Sequence, residues 1–511
     1  MERVALSFWV VILVGIAWRL VRFGLNFDVT GDESGILLSV IERGYGALLH
    51  PLGYFNVSPP LFLWLTKFID STFPNEWATR LFPFVCGLAA LAVFGLVCWE
   101  TLTGTARWLA WAILSISYVP IEEGTRVKGY AIDLLVAAVM LWLALRWLLH
   151  GRKFCYLVWL GVCAPVFVWL SYTTIFMVGA IAAVLTGWLV NACISKKDAD
   201  PSRKTEWKNV GAALGFMALA GLSAIALYEI NIRAGIAASS TNGLSDGWKR
   251  GYAPSEWWGI PLWLLTVHTG RGFAWPAGEN HYGSSLTFAL WCIGAAVYWR
   301  RGNRWVWFLL MGPQALGLLA GFLHKYPYLQ NPRLCMYLGP GICIFAAAGA
   351  QWLIEKMAEE KRQRFYRGVA LVLTIWALAG IGREVARRYR EYTGPSIRGT
   401  LLEASQRLGK DGCFVVLNDP KISGVFTYYL DQRVPQRIWS RGQLPQSIAP
   451  DARLALVVVT IKTSTFDSNA LVRDFQQRWG KPLKLEWQQT AHEVLLDNQD
   501  AVAISVFAPN L

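Results

Sequence analysis

Two adjacent carboxylates, Asp32 and Glu33, stand immediately after the first apolar segment of the chain. Ionisable groups at a membrane boundary cost solvation unless they are used, so they are candidates for chemistry. One carboxylate could accept a proton from an incoming hydroxyl while its neighbour holds it in place. Alternatively, Thr30 or Asp32 caps a helix from Ser34 to Ile41, and Glu33 favours the positive end of its dipole.

A second group of charges lies in the loop 120–129, where Glu122 and Glu123 precede Arg126 and Lys128. These ions could pair with one another in a solvated turn. In the functional alternative, Arg126 or Lys128 neutralises a phosphate at the headgroup level of a membrane. The loop alone leaves both interpretations open.

A third stretch, residues 324–333, combines cations with aromatic rings. Lys325 and Arg333 supply positive charge and Tyr326 supplies an amphipathic ring, a combination that suits a lipid phosphate. An aromatic-belt turn with snorkelling cations explains the same composition equally well.

The composition indicates which class of protein must position these residues. Of the 511 residues, 54% are hydrophobic and only 16% are charged, which excludes an ordinary soluble protein of this length. The net charge of +14 could point to nucleic acid, but the Lys and Arg are concentrated in short loops between apolar runs. The chain is therefore predicted to be an α-helical polytopic membrane protein that binds no nucleic acid.

Apolar runs of spanning length predict about 11 transmembrane helices, the first of them a retained helix rather than a cleaved signal. Their predicted cores are 5–23, 78–98, 104–119, 130–149, 154–170, 173–193, 209–230, 284–299, 305–323, 334–354 and 368–382.

Loop charge predicts the orientation of these helices. With the N-terminus in the cytoplasm, the inner loops carry 15 Lys/Arg in 37 residues, and the outer loops carry 10 in 127. The inner loops are 150–153, 194–208, 300–304 and 355–367, and the outer loops are 24–77, 120–129, 231–283 and 324–333. The long loops 24–77 and 231–283 and all three charged clusters then lie outside. Apolar stretches at 59–65 and 257–265 are too short or Pro-broken to span and should lie in the interface.

The composition changes at Gly394-Pro395. Beyond it, 414–417, 454–459 and 502–507 are predicted strands, while 421–431 and 467–479 are predicted helices. We therefore expect a transmembrane domain over 1–390 and a small extracytoplasmic α/β domain over 394–511.

The sequence shows no ligand spacing for a metal. The nine cysteines form no CxxC or Cys/His pattern. His268, Arg271, Glu279 and His281 in the second long loop could include a divalent site, but an exposed polar loop is the simpler interpretation. No cofactor is predicted, and a divalent metal stays an open alternative.

Several of these segments together resemble a known family. The order is Asp32-Glu33, then Pro59-Pro60-Leu61, then a charged loop ending in Lys128-Gly129-Tyr130, then Tyr326-Pro327 followed by Arg333, Tyr337 and Pro340. Over about 1–385, this resembles the GT-C class of polyprenyl-phosphate-sugar-dependent membrane glycosyltransferases. That family includes dolichyl-phosphate-mannose protein mannosyltransferases, lipid A aminoarabinose transferases and bacterial RgtA/B/C/D-like enzymes.

The chain departs from the family pattern at two positions. Ser58 stands where many members have His before the two prolines, so a role for that His does not carry over. Lys128 occupies the place of an Arg in a Glu-x-Arg-x-Tyr motif, which leaves open whether Arg126 or Lys128 meets the phosphate.

The resemblance implies transfer of a monosaccharide from a polyprenyl-phosphate donor to an acceptor hydroxyl, by single displacement with inversion. The acceptor would be a glycan, a lipid or a protein at the extracytoplasmic face, with membrane lipids around the enzyme. Asp32, or Glu33 as second choice, would be the base. The donor phosphate would be bound by a set of basic and aromatic residues comprising Arg126, Lys128, Lys325, Arg333 and Tyr326.

A bacterial inner (plasma) membrane is the expected location, with the active site and the C-terminal domain in the periplasm. A lipid or anionic-solute transporter or flippase is the alternative, although the ionisable groups fall near helix ends rather than at the midplane. A non-catalytic assembly subunit is a third possibility and would tolerate loss of the carboxylate pair.

Overall fold

The computed structural model describes residues 2–52, 56–194, 203–236, 246–278, 283–301, 304–386, 397–409, 413–417, 424–433, 437–439, 453–460, 473, 475, 477, 483–494 and 499–509. These residues fall into two compact units. Unit 1 comprises Met1–Asn26 and Gly44–Val385, and unit 2 comprises Phe27–Arg43 and Ala386–Leu511. Each unit is described by itself.

The chain is mainly helical. In chain order the helices are α1 (Glu2–Leu25), α2 (Gly31–Glu42), α3 (Pro60–Thr72), α4 (Glu76–Thr101), α5 (Ala106–Ile116), α6 (Tyr118–Glu123), α7 (Tyr130–Leu149), α8 (Phe154–Leu170), α9 (Thr174–Ile194), α10 (Arg203–Leu227), α11 (Ile260–Thr269), α12 (Gly283–Arg301), α13 (Arg304–Phe322), α14 (Gly339–Glu355), α15 (Glu359–Ala386), α16 (Ile397–Leu408) and α17 (Gly424–Arg433). A π-turn, Tyr228–Ile232, extends α10, and short 3₁₀ turns include Asp246–Gly251 and Pro332–Leu338.

Among the described residues, eight helical segments are long and apolar enough to cross a membrane. They are Val4–Leu25, Glu76–Thr101, Tyr130–Leu149, Thr174–Asn191, Trp207–Ile236, Arg304–Phe322, Pro332–Glu355 and Glu359–Ala386, and shorter apolar helices occur at Ala106–Ile116 and Phe154–Leu170. The chain is thus an integral membrane protein, as the composition predicted.

Each of the eleven predicted segments contains helix, but 104–119 is not one continuous helix. It is divided between α5 and α6, and Ser117 between them has an extended backbone, with φ −67° and ψ 125°. Pro120 explains the break, because a proline lacks the N–H that would bond four residues back and its ring clashes with that carbonyl. The apolar run alone did not indicate this interruption.

Helices α12 and α14 approach each other through glycines. A Cβ on Gly294 would lie 1.8 Å from the backbone oxygen of Phe345, and one on Gly349 would lie 2.0 Å from that of Leu290. Only glycine leaves room for these backbones, which is how small residues allow helices to pack closely inside membranes.

The two apolar stretches predicted to be too short to span form short helices. Pro60 begins α3, where its missing N–H costs nothing because the first turn has no partner for it. The second stretch begins with the 3₁₀ turn Trp257–Gly259 and continues as α11, ten residues long. Both belong to unit 1.

Unit 2 contains a mixed five-stranded sheet in the order β2-β1-β3-β5-β4. The strands are β1 (Cys413–Val416), β2 (Arg437–Trp439), β3 (Leu454–Thr460), β4 (Leu483–Val494) and β5 (Gln499–Pro509). β1 pairs in parallel with β2 and β3, whereas β5 is antiparallel to β3 and β4. The α/β character of the tail is therefore confirmed. Of the predicted helix 467–479, only residues 473, 475 and 477 are among the described ones, and all three are helical.

The segment that carries the two adjacent carboxylates belongs to unit 2. Val29 N donates to the hydroxyl of Tyr429 at 2.7 Å, and Arg398 Nε pairs with Asp28 Oδ1 at 2.9 Å. A Cβ on Gly424 would lie 2.7 Å from Ser34 Oγ, so α2 and the start of α17 touch. Residues 27–43 are thus bound to the C-terminal residues by hydrogen bonding, charge and close packing.

Candidate functional site

Lys128 is a buried cation with a defined partner in unit 1. Only 6% of the residue is exposed, and Nζ donates to Asn56 Oδ1 at 2.7 Å. A Cβ on Gly129 would lie 3.9 Å from Pro59 Cδ, so the charged loop adjoins the proline stretch. Two segments that the sequence separates by about seventy residues therefore meet around one ammonium group. Asn56, a neutral amide in a loop, gave no signal in the sequence.

Arg126 is held by the acids of its own loop. Its guanidinium lies 2.8 Å from Glu122 Oε1 and 3.2 Å from Glu123 Oε1. Glu123 is 2% exposed, so this is a largely buried pair rather than a solvated one. The mutual pairing proposed as the structural alternative for this loop is what the structure shows for Arg126.

Arg22 at the end of α1 joins this ion cluster. Its Nε donates to Thr125 Oγ1 at 3.0 Å, and its guanidinium lies 3.6 Å from Glu122 Oε1. It also forms an ion pair with Glu384 of α15, 362 positions away in sequence. The network ties the first and last long helices of unit 1 to the charged loop, and sequence spacing could not have revealed it.

Arg333 lies beside the start of α7. Its guanidinium carbon is 5.9 Å from the centre of the Tyr130 ring, a cation–π distance. Its backbone N–H donates to the side chain of Asn331 at 3.2 Å, which fixes the first turn of the 3₁₀ segment. Arg333 therefore lies beside the ring of Tyr130, which follows Lys128 by two positions in the chain.

Tyr326 supports the same 3₁₀ segment. Its hydroxyl donates to the carbonyl of Leu334 at 2.9 Å, and its ring lies 5.4 Å from that of Phe176. Burial, reinforced by the nearby Asp133 carboxyl, raises the pKa of Tyr326 well above its usual value. The phenol thus stays protonated and acts as a hydrogen-bond donor next to Arg333.

Lys325 differs from these residues because its side chain is exposed. Its backbone N–H bonds to Ala320 O at 2.9 Å and ends α13. The ammonium group stands in solvent or at the headgroup level, where its charge is screened.

Asp133, one turn into α7, is 7% exposed. The hydroxyls of Ser171 and Thr173 hydrogen-bond to its carboxyl, and those two hydroxyls lie 3.1 Å apart. A neighbouring contact links Tyr172 OH to Ser58 O at 2.9 Å. The turn between α8 and α9 therefore contacts both α7 and the residue before the prolines, another connection that the sequence did not predict.

The adjacent carboxylates of unit 2, Asp32 and Glu33, differ in how exposed they are. Glu33 is fully buried, and its Oε2 accepts from Thr30 N at 3.0 Å and from Thr30 Oγ1 at 3.1 Å. This is a capping box, which satisfies N–H groups that the first turn of a helix leaves without partners. Asp32, at the next position toward the N-terminus, is partly exposed. The sequence interpretation of Glu33 as a helix-start residue is realised, and Asp32 is the more accessible carboxylate.

Within the part of the chain that the structure describes, no three His, Cys, Asp or Glu side chains come close enough to hold a metal. His268 Nδ1 donates to Leu264 O at 2.7 Å, and its Nε2 lies 3.1 Å from Tyr328 OH. Glu279 and His281 lie outside the described residues.

No family model matches the chain, and neither does any curated protein sequence. Among solved structures, ArnT from Cupriavidus metallidurans bound to undecaprenyl phosphate is similar, with a TM-score of 0.50 and 12% identity over 97% of each chain. The apo oligosaccharyltransferase of Archaeoglobus fulgidus gives a TM-score of 0.45 at 11% identity, over 86% of this chain and 65% of that one. This chain thus spans less than two thirds of the archaeal protein. The predicted GT-C-like fold is confirmed by the end-to-end similarity to ArnT.

Proposed function

We propose that this protein is a membrane glycosyltransferase that moves a monosaccharide from a polyprenyl-phosphate donor to an acceptor hydroxyl. The observation that carries the proposal is the similarity over 97% of both chains to ArnT, a protein whose structure contains undecaprenyl phosphate. A helical membrane domain is well suited to bind a lipid phosphate with a long isoprenoid tail.

The donor phosphate would be bound by cations of unit 1. Lys128 is the strongest candidate, because a buried ammonium group has a large electrostatic effect where water is excluded. Arg333 would add a planar fork of donors that fits phosphate oxygens. Tyr326 would hold the segment of Arg333 in place through its hydrogen bond to the carbonyl of Leu334. Lys325 would add a screened positive charge at the edge of the site. Arg126 would mainly position its loop, and would be a weaker candidate than Lys128 for binding the phosphate.

The base would be Asp32, with Glu33 as the second choice. The acceptor O–H bond breaks, its proton passes to the carboxylate, and its oxygen forms the new bond to the anomeric carbon. The bond between that carbon and the phosphate oxygen breaks, and the electron pair leaves with polyprenyl phosphate. One displacement inverts the configuration, and the cations stabilise the charge that grows on the leaving group.

The reaction would take place on the extracytoplasmic face. Fifteen Lys/Arg in 37 inner-loop residues, against 10 in 127 outer-loop residues, support a cytoplasmic N-terminus. A lipid-linked donor fits that side, whereas nucleotide sugars are cytosolic. In a bacterium the corresponding location is the inner membrane, and the acceptor is a glycan, lipid or protein of the envelope.

The experiment is a transfer assay with purified protein, a polyprenyl-phosphate sugar and a panel of envelope acceptors. The expected result is release of polyprenyl phosphate together with a glycosylated acceptor, and loss of both with Asp32→Asn. Movement of the intact donor across proteoliposomes without turnover would instead indicate a flippase. Unchanged transfer by Asp32→Asn would exclude this residue as the base.

A further inference from the structure

Four tryptophans of unit 1 form one aromatic cluster where α1, α4 and α5 meet. The ring centres of Trp99 and Trp108 are 4.6 Å apart, and those of Trp9 and Trp111 are 5.2 Å apart. Trp9 remains 38% exposed and Trp99 41% exposed, so the cluster has an open face.

On the buried side of this cluster, Trp111 packs closely against α4. Trp111 Nε1 donates to Leu91 O at 2.9 Å, which fixes the indole against α4. A Cβ on Gly95 would lie 2.8 Å from the Trp111 ring, so the indole occupies space that only a glycine provides. The rings are therefore held in place by the helices rather than resting loosely on the surface.

Arg107 lies within the cluster, with its guanidinium carbon 5.3 Å from the centre of the Trp99 ring. Among the described residues it has no ion pair, and its buried Nε has no hydrogen-bond acceptor. Arg146, by comparison, pairs with Glu100 at 2.9 Å. A buried donor without an acceptor costs free energy, so an anionic ligand that accepts from this guanidinium would be stabilised there.

The neighbouring indoles are also donors without acceptors. In the part of the chain that is described, the N–H groups of Trp9, Trp99 and Trp108 make no hydrogen bond. Phosphate oxygens can accept from an arginine and from indole N–H groups together, and the rings offer apolar surface to the glycerol and upper acyl carbons.

The cluster also lies at helix ends, where lipid headgroups are found. Trp99 is two residues from the end of α4, and Arg107 is the second residue of α5. Lys128, by contrast, follows both α5 and α6 in the chain. We propose that Arg107 and the four tryptophans bind the phosphate headgroup of an anionic membrane phospholipid, at a site separate from the proposed donor-phosphate site.

The test is native mass spectrometry of the purified full-length protein, titrated with phosphatidylglycerol or phosphatidylcholine. We expect the wild type to bind phosphatidylglycerol about fivefold more tightly than phosphatidylcholine, since one arginine at an anionic surface contributes on that scale. Arg107→Gln should abolish the preference. Arg304→Gln is the matched control, because Arg304 also lies over a tryptophan, 5.2 Å from the Trp299 ring centre, but is exposed.

Equal lipid preference in Arg107→Gln and the wild type would overturn the proposal. So would complete displacement of the lipid by excess inorganic phosphate, which would indicate a site for the free ion. If Arg107→Gln does not fold, Trp9→Phe, which keeps an aromatic ring but removes the indole N–H, should weaken phosphatidylglycerol binding about two- to threefold. Unchanged binding in that variant would count equally against the site.

Discussion

Lys128 Nζ donates a hydrogen bond to Asn56 Oδ1 at 2.7 Å, in a part of unit 1 where both residues are buried. This partner is a neutral amide, and it orients the ammonium group. Arg126, by comparison, pairs with two carboxylates of its own loop. Under the proposed function, Lys128 would stabilise the leaving phosphate, because its ammonium group is buried and held in place.

Replacing Lys128 with Gln is expected to lower the rate of sugar transfer by about 100- to 1,000-fold, the scale for loss of one preorganised charge-stabilising donor. The measurement is turnover with a polyprenyl-phosphate sugar. Lys153→Gln, an exposed lysine before α8, is the control and should leave turnover unchanged. Similar rates in the two variants would contradict a role for Lys128 in the reaction.

A second prediction separates the two adjacent carboxylates. Glu33→Ala removes the capping box with Thr30 and should lower the free energy of unfolding by about 1 kcal/mol. Asp32→Asn should reduce transfer by about 100- to 10,000-fold, a larger loss of turnover than that caused by Glu33→Ala. Thermal unfolding and turnover are measured on the same preparations, with Thr30→Ala as the control for lost capping. The opposite pattern would make Glu33 the base.

The sequence predicted the fold better than it predicted the site. Apolar runs set helix positions because each span must bury its backbone polar groups within itself, and α1 and α7 accordingly appear where hydropathy places them. The helix start was also visible, because Thr30 as a possible cap and Glu33 in the first turn are neighbours in sequence.

The partners of Lys128 and Arg22 were not visible in the sequence. Asn56 is an uncharged loop residue, and Glu384 lies in the last long helix of unit 1, 362 positions from Arg22. Such pairs form only when helices from opposite ends of the chain pack together, so no spacing rule encodes them. The membership of residues 27–43 in unit 2 likewise depends on tertiary contacts such as that of Val29 with Tyr429.

A third prediction concerns Arg126 and Glu123. Arg126→Gln removes a cation from beside a carboxylate that is 2% exposed, so unfolding should become easier by about 1 to 4 kcal/mol, between the values for exposed and buried pairs. Adding Glu123→Gln should restore most of that loss, because the uncompensated charge is then gone. The measurement is the thermal unfolding midpoint of the two variants.

The double variant also tests whether Arg126 binds phosphate. If Arg126 mainly positions the loop, the restored double variant should transfer sugar within about tenfold of the wild type, because no transition-state contact has been removed. A stable double variant with a far larger loss of turnover would show that Arg126 contacts the donor directly.

The last prediction is a pH effect on stability at His268. Burial lowers the pKa of this imidazole below its ordinary value of 6.5, and its Nε2 lies 3.1 Å from Tyr328 OH. As the pH falls through 6.5, the unfolded chain takes up a proton that the folded protein does not. The contribution of His268 to the free energy of unfolding is therefore constant above that pH. Below it, the contribution decreases by up to about 1.4 kcal/mol per pH unit, until the lowered pKa is reached.

The measurement compares unfolding midpoints at about pH 7.5 and about pH 5.5. Between these two pH values, the midpoint of His268→Gln should decrease less than that of the wild type. An undiminished decrease in His268→Gln would assign the effect to another group.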